Sequence, residues 1–135
     1  MKYYLDTCIW FDYFENREDN LRPLGEWALK LINKIISEEG IFIFDEHLLN
    51  ELRNKYSREI LNRYFEIIPL TLIINVKINE YQIREATKFK QMLKIPFEDA
   101  LHAIVARDNH ATLISRDKQF QEIDFIECYK PEDLV

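Results

Sequence analysis

Four acidic residues stand where the predicted strands and helices could bring their carboxylates together. Asp6 directly follows the first apolar run of the chain, and Asp117 lies one residue beyond a later one. Glu51 lies beside the leucine stripe of a predicted helix, and Asp99 lies on the small-residue face of another. Carboxylates that converge within about 4–6 Å repel one another unless a proton or a cation neutralises them. Because Mg²⁺ and Mn²⁺ prefer oxygen ligands, the pattern predicts a metal site with few protein ligands and room for a substrate phosphate.

Other acidic residues fit structural roles. Asp45 is placed to cap the helix that follows it, and Asp12 is likewise predicted to be a turn or cap residue. Glu98 suits the first turn of a helix, where a negative charge favours the helix dipole, with an outer role at the metal site as its alternative. A single Asp at a strand end is more often a cap than a ligand, so the metal prediction rests on the joint pattern.

The elements that would position these carboxylates alternate along the chain. Strands are predicted at residues 3–5, 41–44, 70–76, 112–115 and 125–128, with helices at 8–14, 24–37, 58–67, 78–93, 97–109 and 118–121 and one more after Asp45 that carries Leu48, Leu49 and Leu52. This alternation favours the α/β class, as a three-layer α/β/α domain with a central, mainly parallel sheet of four or five strands. The length of 135 residues suits a single domain spanning residues 1–135. In such sheets, ligands collect at the carboxyl ends of the strands.

The composition excludes several classes of protein. Only two glycines occur, so the closely spaced glycines of a dinucleotide fingerprint or a Walker A loop are absent. The net charge of −6 disfavours nucleic-acid binding over the whole surface but leaves room for a local basic patch. Two cysteines without a CxxC pairing indicate a reducing setting. No secretory signal and no apolar run of about 18 residues is evident, so a cytoplasmic location without membrane contact is expected.

The acidic residues also occur within an ordered set of motifs. Residues 5–7, LDT, resemble the opening motif of PIN-domain nucleases, and residues 48–52, LLNEL, resemble the second acidic motif of that family. Residues 99–103, DALHA, and residues 115–120, SRDKQF, closely resemble the third and fourth motifs. The resemblance covers essentially the whole chain, at the size of the small VapC-like toxin ribonucleases.

This resemblance implies an endoribonuclease that depends on Mg²⁺ or Mn²⁺, most simply the toxin of a type II toxin–antitoxin pair. The implied acidic site consists of Asp6, Glu51, Asp99 and Asp117. Asp6 and Asp99 would ligate the metal directly, Asp117 would hold a second cation or its waters, and Glu51 would orient a water.

Two hydroxyl residues match positions that support the acidic centre in the family, Thr7 and Ser115. The chain departs from the family pattern at Cys8, where Asn or Ser is frequent, and at Ser115, where Thr is usual. The first departure would weaken a supporting hydrogen bond, and the second keeps the hydroxyl. Neither departure removes a proposed ligand.

Basic residues near the acidic motifs are candidates for contact with RNA phosphates. Those predicted to bind the substrate are Arg53, Arg58, Arg116 and Lys118. A solvated helix face is an equally open interpretation of these cations.

The histidines and Cys8 carry no pattern of their own. His47, His102 and His110 lack the HxH or HExxH spacing of zinc sites. His102 is predicted to be a helix residue near the acidic site, with substrate contact as its alternative. Cys8 has no histidine and acid placed beside it by the sequence, so it is predicted to be a residue at the start of a helix.

Residues 8–14 are apolar nearly all round a short helix. Burying one face would leave aromatic side chains such as Trp10 or Phe14 at the surface unless something covers them. Core packing is the default interpretation. The resemblance adds a groove for the amphipathic C-terminal segment of a cognate antitoxin, or a contact between two copies of the chain.

Two other functions remain open. The first is a non-catalytic RNA- or protein-binding module of the same fold, which the set of four carboxylates disfavours because their repulsion is costly without a cation. The second is a phosphatase with Asp6 as its nucleophile. Phosphatases of this kind require another Asp two residues after the nucleophile, and Cys8 occupies that position here.

Overall fold

Five parallel strands form the centre of the molecule in a computed structural model that describes residues 1–135. The sheet has the order β3-β2-β1-β4-β5, with the strands β1 Lys2–Leu5, β2 Ile41–Asp45, β3 Ile73–Val76, β4 Ala111–Ile114 and β5 Cys128–Tyr129. Because β1 pairs with both β2 and β4, the residue that follows β1 lies at the middle of the carboxyl edge. That residue is Asp6.

Seven helices cover the sheet. They are α1 Thr7–Glu15, α2 Leu24–Ser37, α3 Glu46–Lys55, α4 Arg58–Phe65, α5 Glu80–Leu93, α6 Phe97–Asp108 and α7 Pro131–Leu134. Helix α1 packs on α2, which also contacts α7, while α5 packs on α6. The predicted three-layer α/β/α architecture with a five-stranded parallel sheet is confirmed. None of the helices combines the length and the apolar character that a membrane-spanning segment needs.

Small side chains bring α6 against the sheet. Ala103 and Ala106 are completely buried, and Ala100 is almost so. A helix face made of alanines lets the helix backbone approach its neighbours closely, because no side chain extends beyond Cβ. This close approach sets Asp99 and His102, on the same helix, at the carboxyl edge of the sheet.

Asp45 fixes the start of α3 and thereby the position of Glu51. Its Oδ1 accepts a hydrogen bond from the backbone N–H of Leu48 at 2.8 Å, the predicted N-cap contact. Its Oδ2 accepts from the Tyr4 hydroxyl at 2.8 Å, and both side chains are fully buried. The cap is therefore anchored to the central strand.

Two predicted elements differ from the structure, and one element of the structure was not predicted. Residues 70–76 begin with a 3₁₀ turn at Leu70–Leu72 before β3, because Pro69 starts a turn that the Leu72 N–H closes. The last strand is Cys128–Tyr129 rather than residues 125–128, and it pairs with β4 at its end. The short helix α7 was not predicted.

The aromatic residues Trp10 and Phe14 of α1 are covered, which confirms core packing, the default interpretation of this helix. The exposed fraction is 1% for Trp10 and 5% for Phe14. Phe14 stacks on Tyr64 and meets Tyr56 edge to face. Tyr56, which follows α3, and Tyr64 of α4 thus cover the side of Phe14 that faces them.

Candidate metal and nuclease site

The candidate site is a crevice at the carboxyl edge of the sheet, between the ends of β1 and β4. Since these strands are hydrogen-bonded neighbours, the residues after them face each other. Asp6 lies after β1, while Ser115 and Asp117 lie after β4. This is the edge at which open α/β sheets bind ligands.

Asp6 is the central group of the crevice. Its Oδ1 accepts hydrogen bonds from the Thr7 backbone N–H at 2.8 Å and from His102 Nδ1 at 3.0 Å. Its Oδ2 accepts from the Ser115 hydroxyl at 2.8 Å. Burial by itself favours the neutral acid, but these donors hold the pKa of Asp6 below its ordinary value. Asp6 is therefore a buried carboxylate that remains ionised.

Asp99 and Asp117 form the second part of the crevice. Burial, the Asp117 carboxylate and the Asp6 carboxylate raise the pKa of Asp99 to about 7. The Asp99 Oδ2 atom is buried and has no hydrogen-bond partner. Two local hydrogen bonds fix the position of Asp117. Its backbone N–H donates to the Ser115 hydroxyl at 3.0 Å, and its Oδ1 accepts from the backbone N–H of Gln119. The negative charge here is uncompensated.

Glu51 reaches the crevice from α3. Its Oε2 accepts a hydrogen bond from the Thr7 hydroxyl at 2.8 Å. Burial raises the pKa of Glu51, but His102, Thr7 and His47 together bring it below the ordinary value. The structure thus brings the four predicted carboxylates together, and it places the hydroxyls of Thr7 and Ser115 on two of them.

His102 has a larger part in the site than the sequence indicated. It is 1% exposed and lies between Asp6 and Glu51, with its ring 5.4 Å from that of Tyr4. Burial disfavours the imidazolium, yet the two carboxylates raise the pKa of His102 to about 10. His102 therefore compensates part of the acidic charge. Its position three residues after Asp99 on the alanine-rich face is the sequence signal that could have assigned it.

The donor set suits a hard divalent cation. The ligand atoms of Asp6, Asp99 and His102 lie within 4.8 Å of one another, and Asp117 lies close enough to raise the pKa of Asp99. A cation would satisfy the partnerless Asp99 oxygen and offset the repulsion that now favours its protonation. Carboxylate oxygens are the ligands that Mg²⁺ and Mn²⁺ prefer. The residues present fit such a metal.

Arg116 faces away from the acidic crevice. Its Nε donates to Asp12 at 3.1 Å and its Nη1 donates to Glu132 at 2.9 Å, and only 15% of its side chain is exposed. Asp12, predicted to be a turn or cap residue, is a buried ion-pair partner instead. This ion pair joins α1, the segment after β4 and α7. The predicted contact of Arg116 with RNA conflicts with this engagement of its guanidinium.

A basic cleft adjoins Asp117. Its volume is about 240 Å³, and its lining includes Ser115 and Asp117 of the crevice together with four cations, Arg22, Arg116, Lys118 and Lys130. Asp133 also lines it. Lys118 therefore lies where it was predicted, beside the acidic site, while Arg22 and Lys130 were missed because they are distant from the acidic motifs in sequence.

Arg53 and Arg58 line a different cavity. A groove of about 640 Å³ runs between α3 and α4, with Leu49, Leu61 and Phe65 in its lining. Arg53 also donates to Glu46 at 3.0 Å. These two arginines do not line the cleft beside Asp117.

A family model described as PIN domain matches residues 3–126. The match spans both ends of the crevice, from the strand before Asp6 to the segment after Asp117. A comparison with curated protein sequences finds no match.

Solved structures of similar fold come from toxin–antitoxin systems. A toxin–antitoxin complex from Klebsiella pneumoniae superimposes with a TM-score of 0.70 at 17% identity, covering 96% of this chain and 97% of that one. VapBC2 from Rickettsia felis, bound to a DNA fragment from its promoter, superimposes with a TM-score of 0.67 at 18% identity, covering 95% of this chain and 97% of that one. VapBC-1 from nontypeable Haemophilus influenzae superimposes with a TM-score of 0.66 at 22% identity, covering 98% of this chain and 99% of that one. At these identities the likeness establishes the fold.

The raised pKa of Asp99 predicts a pH-dependent stability in the metal-free protein. An unfolded Asp has a pKa of about 3.9, whereas folding raises that of Asp99 to about 7. The folded state therefore binds an extra proton between these values, and the stability that Asp99 contributes is lost as the pH rises through this window. Asp99→Asn should raise the Tm, by an amount that grows from about pH 4 to about pH 8.

Glu98→Gln is the matched control for this measurement, because Glu98 precedes Asp99 on the same helix and is exposed. Its Tm difference from the wild type should not grow in the same way. A Tm gain for Asp99→Asn that is constant with pH would contradict the raised pKa.

Proposed function

Because the chain belongs to the PIN domain family, we propose that it is an endoribonuclease that depends on Mg²⁺ or Mn²⁺ and acts as the toxin of a toxin–antitoxin pair. The observation that carries this proposal is the uncompensated charge at Asp99 and Asp117. His102 already balances part of the charge on Asp6 and Glu51, so the remaining repulsion calls for a cation. A module that only binds RNA or protein would have no reason to retain this repulsion between carboxylates.

Each residue of the crevice has a proposed role. Asp6, Asp99 and Asp117 would hold the cation, which when bound lowers the pKa of a water and offsets charge on the attacked phosphate. Ser115 fixes the orientation of Asp6 through its hydroxyl. Glu51, held by the Thr7 hydroxyl, is positioned to orient a water.

The basic cleft is the proposed path of the RNA backbone. It shares Ser115 and Asp117 with the crevice, so a phosphate held there would be next to the scissile one. Lys118 and Lys130 would contact the phosphates. Arg116, tied to Asp12 and Glu132, would shape the cleft floor and keep the segment before Asp117 in place.

The groove between α3 and α4 is the proposed docking site of an antitoxin. The similar folds from Klebsiella, Rickettsia and Haemophilus were solved from toxin–antitoxin assemblies. The groove combines an apolar lining with Arg53 and Arg58, which suits an amphipathic segment with acidic side chains. A contact between two copies of the chain stays a further possibility for its assembly.

Removal of a single carboxylate tests the nuclease activity. Asp99→Asn and Asp6→Asn should each reduce metal-dependent cleavage of an RNA pool by at least about a hundredfold, because the cation loses a ligand. Cleavage is measured with mapped fragment ends in Mg²⁺, Mn²⁺ and EDTA. Folding is checked by circular dichroism and thermal melting.

Glu98→Gln, on the same helix turn as Asp99, should keep wild-type cleavage. Asp99→Asn is the sharper variant, because it removes a strained charge and should fold at least as stably as the wild type. Wild-type cleavage by both Asp variants, or metal-independent cleavage, would overturn the proposal and favour a contaminating nuclease.

The salt dependence of RNA binding tests the basic cleft. In an Asp99→Asn background, which keeps the RNA intact, Lys118→Gln with Lys130→Gln should weaken binding of a short single-stranded RNA. Each lost phosphate contact lowers the slope of log K against log salt by about 0.7, so the pair should lower it by about 1.4. Fluorescence anisotropy over a salt series measures this slope.

Two control pairs accompany the lysine variants. Lys88→Gln with Lys90→Gln removes the same charge from α5, outside the cleft, and Arg53→Gln with Arg58→Gln removes it from the groove. Both pairs should retain the slope. If the arginine pair lowers the slope and the lysine pair does not, RNA follows the groove instead.

Charge reversal in the groove tests antitoxin docking. The chain co-expressed with the protein encoded beside it should elute as a complex larger than its own 16.4 kDa. Arg53→Glu with Arg58→Glu should weaken that complex at least about tenfold, because an acidic segment would meet two new carboxylates. The control pair Lys88→Glu with Lys90→Glu should leave it intact. A clean monomer that binds no neighbour-encoded protein would contradict the toxin assignment.

A further inference from the structure

Three buried polar atoms face one another on the α3 side of the crevice without forming a hydrogen bond. They are His47 Nε2, Glu51 Oε1 and His102 Nε2. Glu51 Oε1 lies 3.6 Å from His47 Nε2 and 3.4 Å from His102 Nε2. The three side chains each offer one ligand atom to a set whose members all lie within 4.8 Å of one another. Buried polar atoms without a partner are uncommon in folded proteins, so a group of three requires an explanation.

These separations match the spacing of ligands around a small transition-metal ion. Zn²⁺ binds imidazole nitrogen and carboxylate oxygen at about 2.0–2.2 Å, so adjacent ligands of a tetrahedral site lie about 3.3–3.5 Å apart. The observed separations of 3.4 and 3.6 Å are close to that value and too long for a good hydrogen bond. We propose that His47, Glu51 and His102 form a binding site for a zinc-like divalent cation on the α3 side of the crevice, which shares Glu51 and His102 with the acidic site but does not use Asp99 or Asp117.

The remaining polar atoms of His102 and Glu51 are already held by other groups. His102 Nδ1 contacts Asp6 at 3.0 Å, which leaves Nε2 as the free ligand atom. Glu51 Oε2 accepts from the Thr7 hydroxyl at 2.8 Å, which leaves Oε1 free. A histidine that binds a metal almost always donates its other N–H to a carboxylate or carbonyl, and Asp6 supplies that partner here.

The local fold brings the three ligands together. His47 and Glu51 lie four residues apart on α3, so they share one face of the helix. His102, which is 1% exposed, comes from α6 on the other side. A bound cation would therefore link α3 to α6. The side chains of His47 and Glu51 are 32% and 33% exposed, so the proposed site lies close to the protein surface although its ligand atoms are buried.

The donor chemistry separates this site from the site of carboxylates. Two imidazole nitrogens with one carboxylate oxygen favour Zn²⁺, Co²⁺ or Ni²⁺, whereas Mg²⁺ prefers oxygen ligands alone. Asp99 and Asp117 take no part in the new site. The sequence spacing of the histidines did not indicate zinc, because His47 and His102 come together only through the packing of two helices.

Metal titration with matched variants tests this inference without reference to RNA cleavage. The full chain in millimolar Mg²⁺ is titrated with Zn²⁺ by calorimetry and with Co²⁺ by visible absorption. The wild type should bind one equivalent, with the cobalt spectrum of a tetrahedral or five-coordinate site. Zn²⁺ at a hundred times its Kd should raise the Tm by roughly 5 °C or more.

Three variants locate the bound ion. His47→Gln, at a half-exposed position, should weaken Zn²⁺ binding at least about tenfold. His110→Asn, which removes an exposed histidine outside the site, should bind Zn²⁺ as the wild type does. Asp99→Asn should also keep Zn²⁺ binding, since Asp99 is not a ligand here.

Three outcomes would overturn the inference. The first is no Zn²⁺ binding in Mg²⁺, which would mean that a protonated His102 between Asp6 and Glu51 is the stable arrangement. The second is wild-type Zn²⁺ affinity in His47→Gln. The third is loss of binding in Asp99→Asn, which would assign the ion to the carboxylates. Failure of the nuclease proposal affects none of these readings.

Discussion

The burial of an ionised carboxylate at the end of the central strand is the constraint on which the rest of the site depends. A charged Asp6 loses its hydration and must be supplied with donors by the protein. The chain provides the Thr7 N–H from the start of α1, the Ser115 hydroxyl from the end of β4, and His102 from α6. Three elements that are distant in sequence are thereby held in one arrangement around a single side chain. The alanines of α6 allow His102 to come close enough to take part.

The charges of the crevice are balanced on one side and unbalanced on the other. His102 lies between Asp6 and Glu51, and both carboxylates have a lowered pKa. Asp99 has no such cation, and repulsion from Asp117 and Asp6 raises its pKa. On the side of His102, an imidazolium compensates the charge of the carboxylates. On the side of Asp99, the repulsion is relieved only by a proton or a cation.

The sequence predicted the parts of this site that depend on local pattern. The positions of Asp6 and Asp117 follow from strand ends, and that of Asp99 follows from the small residues of its helix. What it could not predict depends on contacts between distant residues. The role of His102 requires a knowledge of which carboxylates pack against it, and Asp6 lies 96 positions away. The aromatic residues that cover Phe14, Tyr56 after α3 and Tyr64 of α4, are likewise distant from it in sequence.

The segment after β4 shows how adjacent residues acquire opposite roles. In extended backbone, successive side chains point to opposite sides. Ser115 and Asp117, two positions apart, therefore both face the crevice, where the Ser115 hydroxyl bonds Asp6 and the Asp117 N–H. Arg116 between them faces the other way and bonds Asp12 and Glu132. Arg116, which precedes Asp117 in sequence, thus serves to hold the segment. In a chain of net charge −6, the cations free to meet a phosphate come instead from Lys118, which begins a 3₁₀ helix, and Lys130, which precedes α7.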